Sequence, residues 1–140
     1  MCKYELKSEA DSIKLAKEIA GKITHAKVIT FTGDPGAGKT FLCRQIIRIL
    51  CGSDVIVTSP TFNLLQVYQA PDFEICHFDL YRLKELNEIY ELGIEEALLE
   101  HVCLIEWPEI ISPLLPKNTI SIKLSIIDEN SRLAFISNLN

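Results

Sequence analysis

Apolar positions along the chain fall into blocks of distinct rhythm. Val28-Ile29-Thr30-Phe31 and His101-Val102-Cys103-Leu104-Ile105 are short, nearly continuous runs, the pattern of strands buried on both faces. The first run stops at Gly33. From Thr40 the apolar positions Phe41, Leu42, Ile46, Ile49 and Leu50 follow helical spacing, and Gly52 sits where a helix stop is expected. Ahead of these, Lys3 to Leu6 suits a short strand. Ser8, with Asp11 three residues on, reads as a capping box opening a helix whose stripe is Ile13, Ala16, Ala20 and Ile23.

Beyond Gly52 come a brief Val55-Ile56-Val57 run, a Ser59-Pro60-Thr61-Phe62 turn, and two strand-like stretches around Ala70-Pro71-Asp72. The second stretch ends at Asp79, and the pair reads as a hairpin. Glu85 to Leu99 is mainly helical, with a break expected at Gly93. The second buried run is ended by Glu106-Trp107-Pro108. Ile120, Ile122, Leu124 and Ile126 then alternate, Asp128-Glu129-Asn130 turns, and Leu133 with Phe135 suggests a closing strand. Strands alternating with helices predict an α/β fold: a three-layer sandwich with a mostly parallel central sheet and a β-hairpin insertion. At 140 residues the chain suits a single domain, 1–140, with one catalytic site.

Composition sharpens this picture. Hydrophobic residues make up 48% and charged residues 24%, without repeats or low-complexity tracts, so a globular protein is expected with disorder confined to the termini. Charges interrupt Met1 to Lys7 too often for a signal peptide, and no apolar stretch approaches a membrane span. Cys2, Cys43, Cys51, Cys76 and Cys103 form no CxxC pair and are odd in number. They read as reduced, mostly buried residues of a cytoplasmic protein, with a zinc or redox site as the rival. A net charge of −5 with scattered basic residues disfavours broad contact with a nucleic-acid backbone, so any role in RNA metabolism should run through a protein partner.

The chemistry concentrates in Gly33-Asp34-Pro35-Gly36-Ala37-Gly38-Lys39-Thr40, which satisfies GxxxxGK[ST] between an expected strand and an expected helix. Glycines let such a loop curl its N–H groups towards phosphate oxygens, and the helix behind adds its positive end. Lys39 would reach the β and γ phosphates of ATP and the Thr40 hydroxyl would bind Mg²⁺, with Phe41 opening the helix beside them. A carboxylate is also needed for the metal and for water. Asp79 and Glu106 each end a strand, where open α/β sheets bind ligands. Either alone could equally be a solvated strand end, but a P-loop requires acidic help on that edge. Ser59-Pro60-Thr61-Phe62 could act as a phosphate-sensing switch or be an ordinary proline turn. Trp107 could stack near the nucleotide or pack in the core. His25, His77 and His101 lack spacing that suggests a metal or a catalytic pair and read as structural.

Four segments in order resemble the TsaE (YjeE) family of bacterial ATPases that support threonylcarbamoylation of tRNA adenosine. They are the loop Gly33 to Thr40, Ser59 to Phe62, His77-Phe78-Asp79-Leu80-Tyr81-Arg82, and Leu104-Ile105-Glu106-Trp107-Pro108-Glu109. The Walker loop is shared by many families, whereas the other segments together are far more specific. The resemblance implies Mg-ATP binding, weak hydrolysis in isolation, and action with the TsaD and TsaB proteins, with tRNA contacted only indirectly. It implies metal roles for Thr40 and Glu106, Asp79 close to the metal, Trp107 close to the nucleotide, and Ser8 and Arg132 as candidates for adenine contacts. The rival readings are a small P-loop kinase, for which the chain has little room for a lid, and a nucleotide-gated binding module without turnover.

Overall fold

A computed structural model describes residues 1–60 and 63–139. Its elements run β1 (Cys2–Leu6), α1 (Glu9–Gly21), β2 (Lys27–Thr32), α2 (Lys39–Cys51), β3 (Leu65–Gln69), β4 (Glu74–Asp79), α3 (Leu86–Glu91), α4 (Ile94–Glu100), β5 (Val102–Glu106), a 3₁₀ helix (Pro108–Leu114), β6 (Ile120–Asp128) and β7 (Ser131–Ser137). The strands join one sheet in the order β1-β7-β6-β2-β5-β4-β3. Its four middle strands, β6, β2, β5 and β4, are mutually parallel, and antiparallel strands complete both sides: β3 beside β4, and β7 with β1 beside β6.

Alternation along the middle strands builds two apolar layers. Ile29, Phe31, Ile75, Val102 and Leu104 lie in the layer under α1 and α2, with Leu15, Ile19, Leu42 and Ile46. Val28, Cys76, Phe78, Cys103 and Ile105 form the opposite layer with Ile89, Ile94 and Ala97 of α3 and α4 and Ile111 of the 3₁₀ helix. Helices on both faces explain why β2 and β5 read as continuous apolar runs. The β6–β7 hairpin is covered on one face only, so Ile120, Ile122 and Leu124 are buried while Ser121 and Lys123 are exposed.

Several local expectations take a different form. Ser8 caps α1 by accepting from the Asp11 N–H at 3.3 Å, but the Asp11 carboxylate reaches back to the Lys7 N–H at 2.9 Å rather than to the cap's own amide. Glu85 to Leu99, by contrast, is helical with the break at Gly93 as expected, its φ of +79° turning the chain between two short helices. Val55-Ile56-Val57 forms no strand, and Ile56 points outward at 82% exposure, because β3 occupies the sheet edge with β4 as its partner. The 3₁₀ helix after Trp107 has no counterpart in the hydrophobic pattern. Among the described residues no helix is long and apolar enough to cross a membrane. The parallel strands place the ends of β2, β4 and β5 on one edge of the sheet, which therefore carries Gly33, Asp79 and Glu106.

Candidate functional site

Gly33 follows β2 at φ +142°, and a Cβ there would lie well inside van der Waals contact distance of the Leu124 carbonyl oxygen on β6. Gly38 at φ +103° hands the loop to α2, whose first residue is Lys39. The chain thus approaches β6 where a side chain would not fit and enters the helix in a left-handed turn that L residues resist. Gly33→Ala should destabilise the domain by roughly 2 kcal/mol or more, combining backbone strain with overpacking. A lowered urea midpoint with an unchanged slope would show it; a wild-type midpoint would refute it.

The Lys39 ammonium curls over its own loop, donating to the carbonyls of Gly33 and, at 3.0 Å, of Asp34. It also lies 4.3 Å from the centroid of the Trp107 ring. Burial lowers its pKa, while the carboxylates of Glu106, Asp34, Asp79 and Glu109 act in the opposite direction.

The sheet register brings the carboxylates together. Asp79 on β4 is the direct partner of Glu106 on β5, and Glu106 in turn is opposite Phe31 on β2. Because strand side chains alternate, His77 and Asp79 share the α2 face with Ile75, as Glu106 does with Leu104. Glu106 is almost wholly buried, and both its oxygens accept hydrogen bonds: Oε1 from the Thr40 hydroxyl at 2.7 Å and Oε2 from the ring Nε2 of His77 at 2.7 Å. Asp79 is buried beside it, its Oδ1 accepting from the Tyr81 N–H at 3.1 Å. Thr40, Glu106 and Asp79 offer oxygen donors only, the chemistry of a hard cation such as Mg²⁺.

Trp107 holds a left-handed conformation, φ +56° and ψ +61°, directly after β5. For a bulky side chain this is a strained backbone, and such strain concentrates at functional sites. It keeps the indole out of the core and beside Tyr81, with ring centroids 4.7 Å apart. A cavity of about 300 Å³ is walled by the loop, Lys39, Thr40, Asp79, Glu106 and Trp107. A second cavity of about 520 Å³ lies between the start of α1, the start of α2 and the β6–β7 turn, with Ser8, Ser12, Phe41, Asn130 and Arg132 on its walls. Gly38 and Phe41 border both, so the two spaces adjoin around the start of α2. Arg132, near the start of β7, ties this region together: it donates to the Gly36 carbonyl at 3.1 Å and to the Asp128 carbonyl at 2.8 Å.

The structure therefore gathers Pro35, Gly36, Gly38, Lys39, Thr40, Phe41, Asp79, Glu106 and Trp107 around one space and Ser8, Ala37 and Arg132 around the next, while Gly33 and Asp34 line neither and meet the site through carbonyls that accept from Lys39. Thr61 and Phe62 of the expected switch turn lie outside the described residues. His77, read from spacing as structural, is hydrogen-bonded to Glu106, a contact that the spacing alone did not show. The missed signal was its position two residues before Asp79 in the same strand, which puts both on one face. His25 and His101 precede the opposite ends of β2 and β5. The five cysteines are free, with Cys43, Cys76 and Cys103 buried. Cys43 comes within 4.8 Å of the polar atoms of His77 and Glu106. Burial, reinforced by the Glu106 and Asp79 carboxylates, pushes its thiol far up, making it a packing group rather than a thiolate ligand.

A glycine-rich loop between a buried parallel strand and a helix, on a sheet covered on both faces, defines a P-loop NTPase fold. The family model "Threonylcarbamoyl adenosine biosynthesis protein TsaE" matches residues 6–134, and the chain belongs to the TsaE family. The tRNA threonylcarbamoyladenosine biosynthesis protein TsaE of Rickettsia bellii is 49% identical over 133 residues, covering 95% of this chain and 92% of its own. The protein of the same name from Borreliella burgdorferi is 35% identical over 118 residues, covering 83% and 85%. The crystal structure of Bacillus subtilis YdiB superposes with a TM-score of 0.74 at 24% identity, covering 97% of this chain and 84% of that one, a likeness of fold. Membership of the family places the chain in tRNA threonylcarbamoyladenosine biosynthesis.

Proposed function

We propose that the chain is a Mg-dependent ATPase, weak alone, that supports threonylcarbamoyl modification of the tRNA adenosine next to the anticodon. It would act in the cytoplasm, in a complex with TsaD and TsaB, and meet tRNA only through them. The observation that carries the reading is the contact between the Thr40 hydroxyl and the Glu106 carboxylate at the end of the loop that holds Lys39. Loop amides and Lys39 would take the phosphates of ATP. Thr40 and Glu106, with Asp79 behind them, would hold Mg²⁺, which when bound neutralises phosphate charge. The adjoining larger cavity, beside Ser8, Phe41 and Arg132, has room for the base, and Trp107 would flank the phosphate side.

Phosphate release measured with and without TsaD and TsaB tests this. Partner-stimulated release is the expected result. ADP formation that depends on a small acceptor would instead indicate a kinase, and nucleotide binding without release a gated binding module. Mg-ATP should also stabilise the fold. At 100 times its dissociation constant a ligand adds about 2.7 kcal/mol, which for a chain of this size raises the melting temperature by roughly 5–10 °C. An unmoved melting temperature at millimolar Mg-ATP would count against nucleotide binding of any kind.

A further inference from the structure

We propose that His77 is the positioning residue of Glu106, holding Oε2 so that Oε1 alone is presented to Thr40 and to an arriving divalent cation. The inference rests on the Mg-nucleotide reading of the site. Its basis is the division of labour on one buried carboxylate: a donor from the sheet takes Oε2 and a donor from α2 takes Oε1, each at 2.7 Å.

His77 is fully buried in the layer that holds Ile75 and Leu104. Its Nε2–H is spent on Glu106. Its Nδ1 meets no hydrogen-bond partner among the described residues. A buried polar group left half-satisfied calls for an explanation beyond packing, and the ring's one polar contact supplies it.

Without that contact the carboxylate is free to rotate about its last torsion, offering both oxygens to the cation or swinging towards the Lys39 ammonium. Mg²⁺ demands near-octahedral geometry and tolerates bidentate carboxylates poorly, so an untethered Glu106 would be the poorer ligand. Groups that orient a metal ligand through hydrogen bonds are typically worth 10- to 100-fold in metal affinity.

The test uses calorimetry of nucleotide binding across a Mg²⁺ titration and again in excess EDTA. His77→Leu fills the space without a donor, His77→Gln restores an amide N–H near the position of Nε2, and His77→Asn carries an amide too short to reach. In His77→Leu and His77→Asn the Mg²⁺ concentration for half-maximal enhancement of nucleotide affinity should rise about 10- to 100-fold, while affinity in EDTA stays within about twofold of wild type. His77→Gln should recover to within a few-fold of wild type. If the Leu variant fails to fold, the contrast between Gln and Asn decides. Wild-type Mg²⁺ dependence in His77→Asn overturns the proposal, as does equal loss in the Mg²⁺ and EDTA arms with no recovery in Gln, the mark of a purely structural residue. Failure of the underlying reading looks different: the wild-type protein itself would then bind nucleotide without regard to Mg²⁺, or not at all.

Discussion

Lys39→Ala should weaken ATP binding at least about 100-fold. Hydrogen bonds to charged groups contribute about 1.5–3 kcal/mol each, and an ammonium bridging two phosphates makes at least two of them. The glycines that turn the loop at positive φ, Gly33 and Gly38, are kept in the variant, which loses only the two side-chain bonds from Lys39 to the Gly33 and Asp34 carbonyls. What disappears is the loop's own cation, which the structure places over the mouth of the loop, between the Gly33 and Asp34 carbonyls and the Trp107 ring. Arginine should not substitute, since its planar fork cannot replace a compact ammonium in a space bordered by backbone and indole. Calorimetry with Mg-ATP gives the affinity, and a melting curve confirms the fold. Unchanged affinity in a folded Lys39→Ala protein would remove the nucleotide assignment altogether.

The P-loop was legible in the sequence because strand, loop and helix are contiguous there: Val28 to Phe31, the glycines, and the stripe from Phe41 each signal by local pattern. Asp79 and Glu106 were legible as strand ends. Their being direct partners was not, because strand order is set by which helices and loops carry the chain across the sheet, and no local pattern encodes it. The bond from Arg132 to Gly36 joins residues 96 apart for the same reason. His77 was missed although its face could be read: two residues before Asp79 in a strand means the same side. Only the register of β4 against β5 shows that Glu106 comes within its reach. The left-handed turn at Trp107 left no trace either, since nothing about tryptophan favours it and tertiary context imposes it. Both buried runs behaved as strands because the helices on either face consumed their apolar surface. The Val55 to Val57 run looked similar in composition and failed for want of a partner strand.

Glu106→Gln should reduce hydrolysis about 100-fold or more while affecting nucleotide binding far less, the usual scale for a group that orients water or stabilises charge in a transition state. The hydrogen bonds around the carboxylate sharpen the expectation. The glutamine oxygen can accept from only one side, and with His77 kept in the Nε2–H tautomer that the carboxylate selects, the amide oxygen turns to His77. The amide NH₂ then faces Thr40, whose hydroxyl can reverse and accept. The substitution therefore puts a donor on the side where a cation would approach, besides removing the charge. Mg²⁺ dependence should suffer with turnover, and turnover across a Mg²⁺ titration separates two roles. Recovery at high Mg²⁺ marks Glu106 as a metal ligand, whereas a deficit that persists at saturation marks it as the group that prepares water. The direct contact with the Thr40 hydroxyl favours the ligand role, because in a P-loop that hydroxyl is itself committed to the metal. The loss should carry through to partner-stimulated phosphate release and to modified tRNA in a reconstituted system with TsaD and TsaB. Wild-type turnover and modification by Glu106→Gln would end the case for this carboxylate and leave Asp79 as the acidic residue of the site.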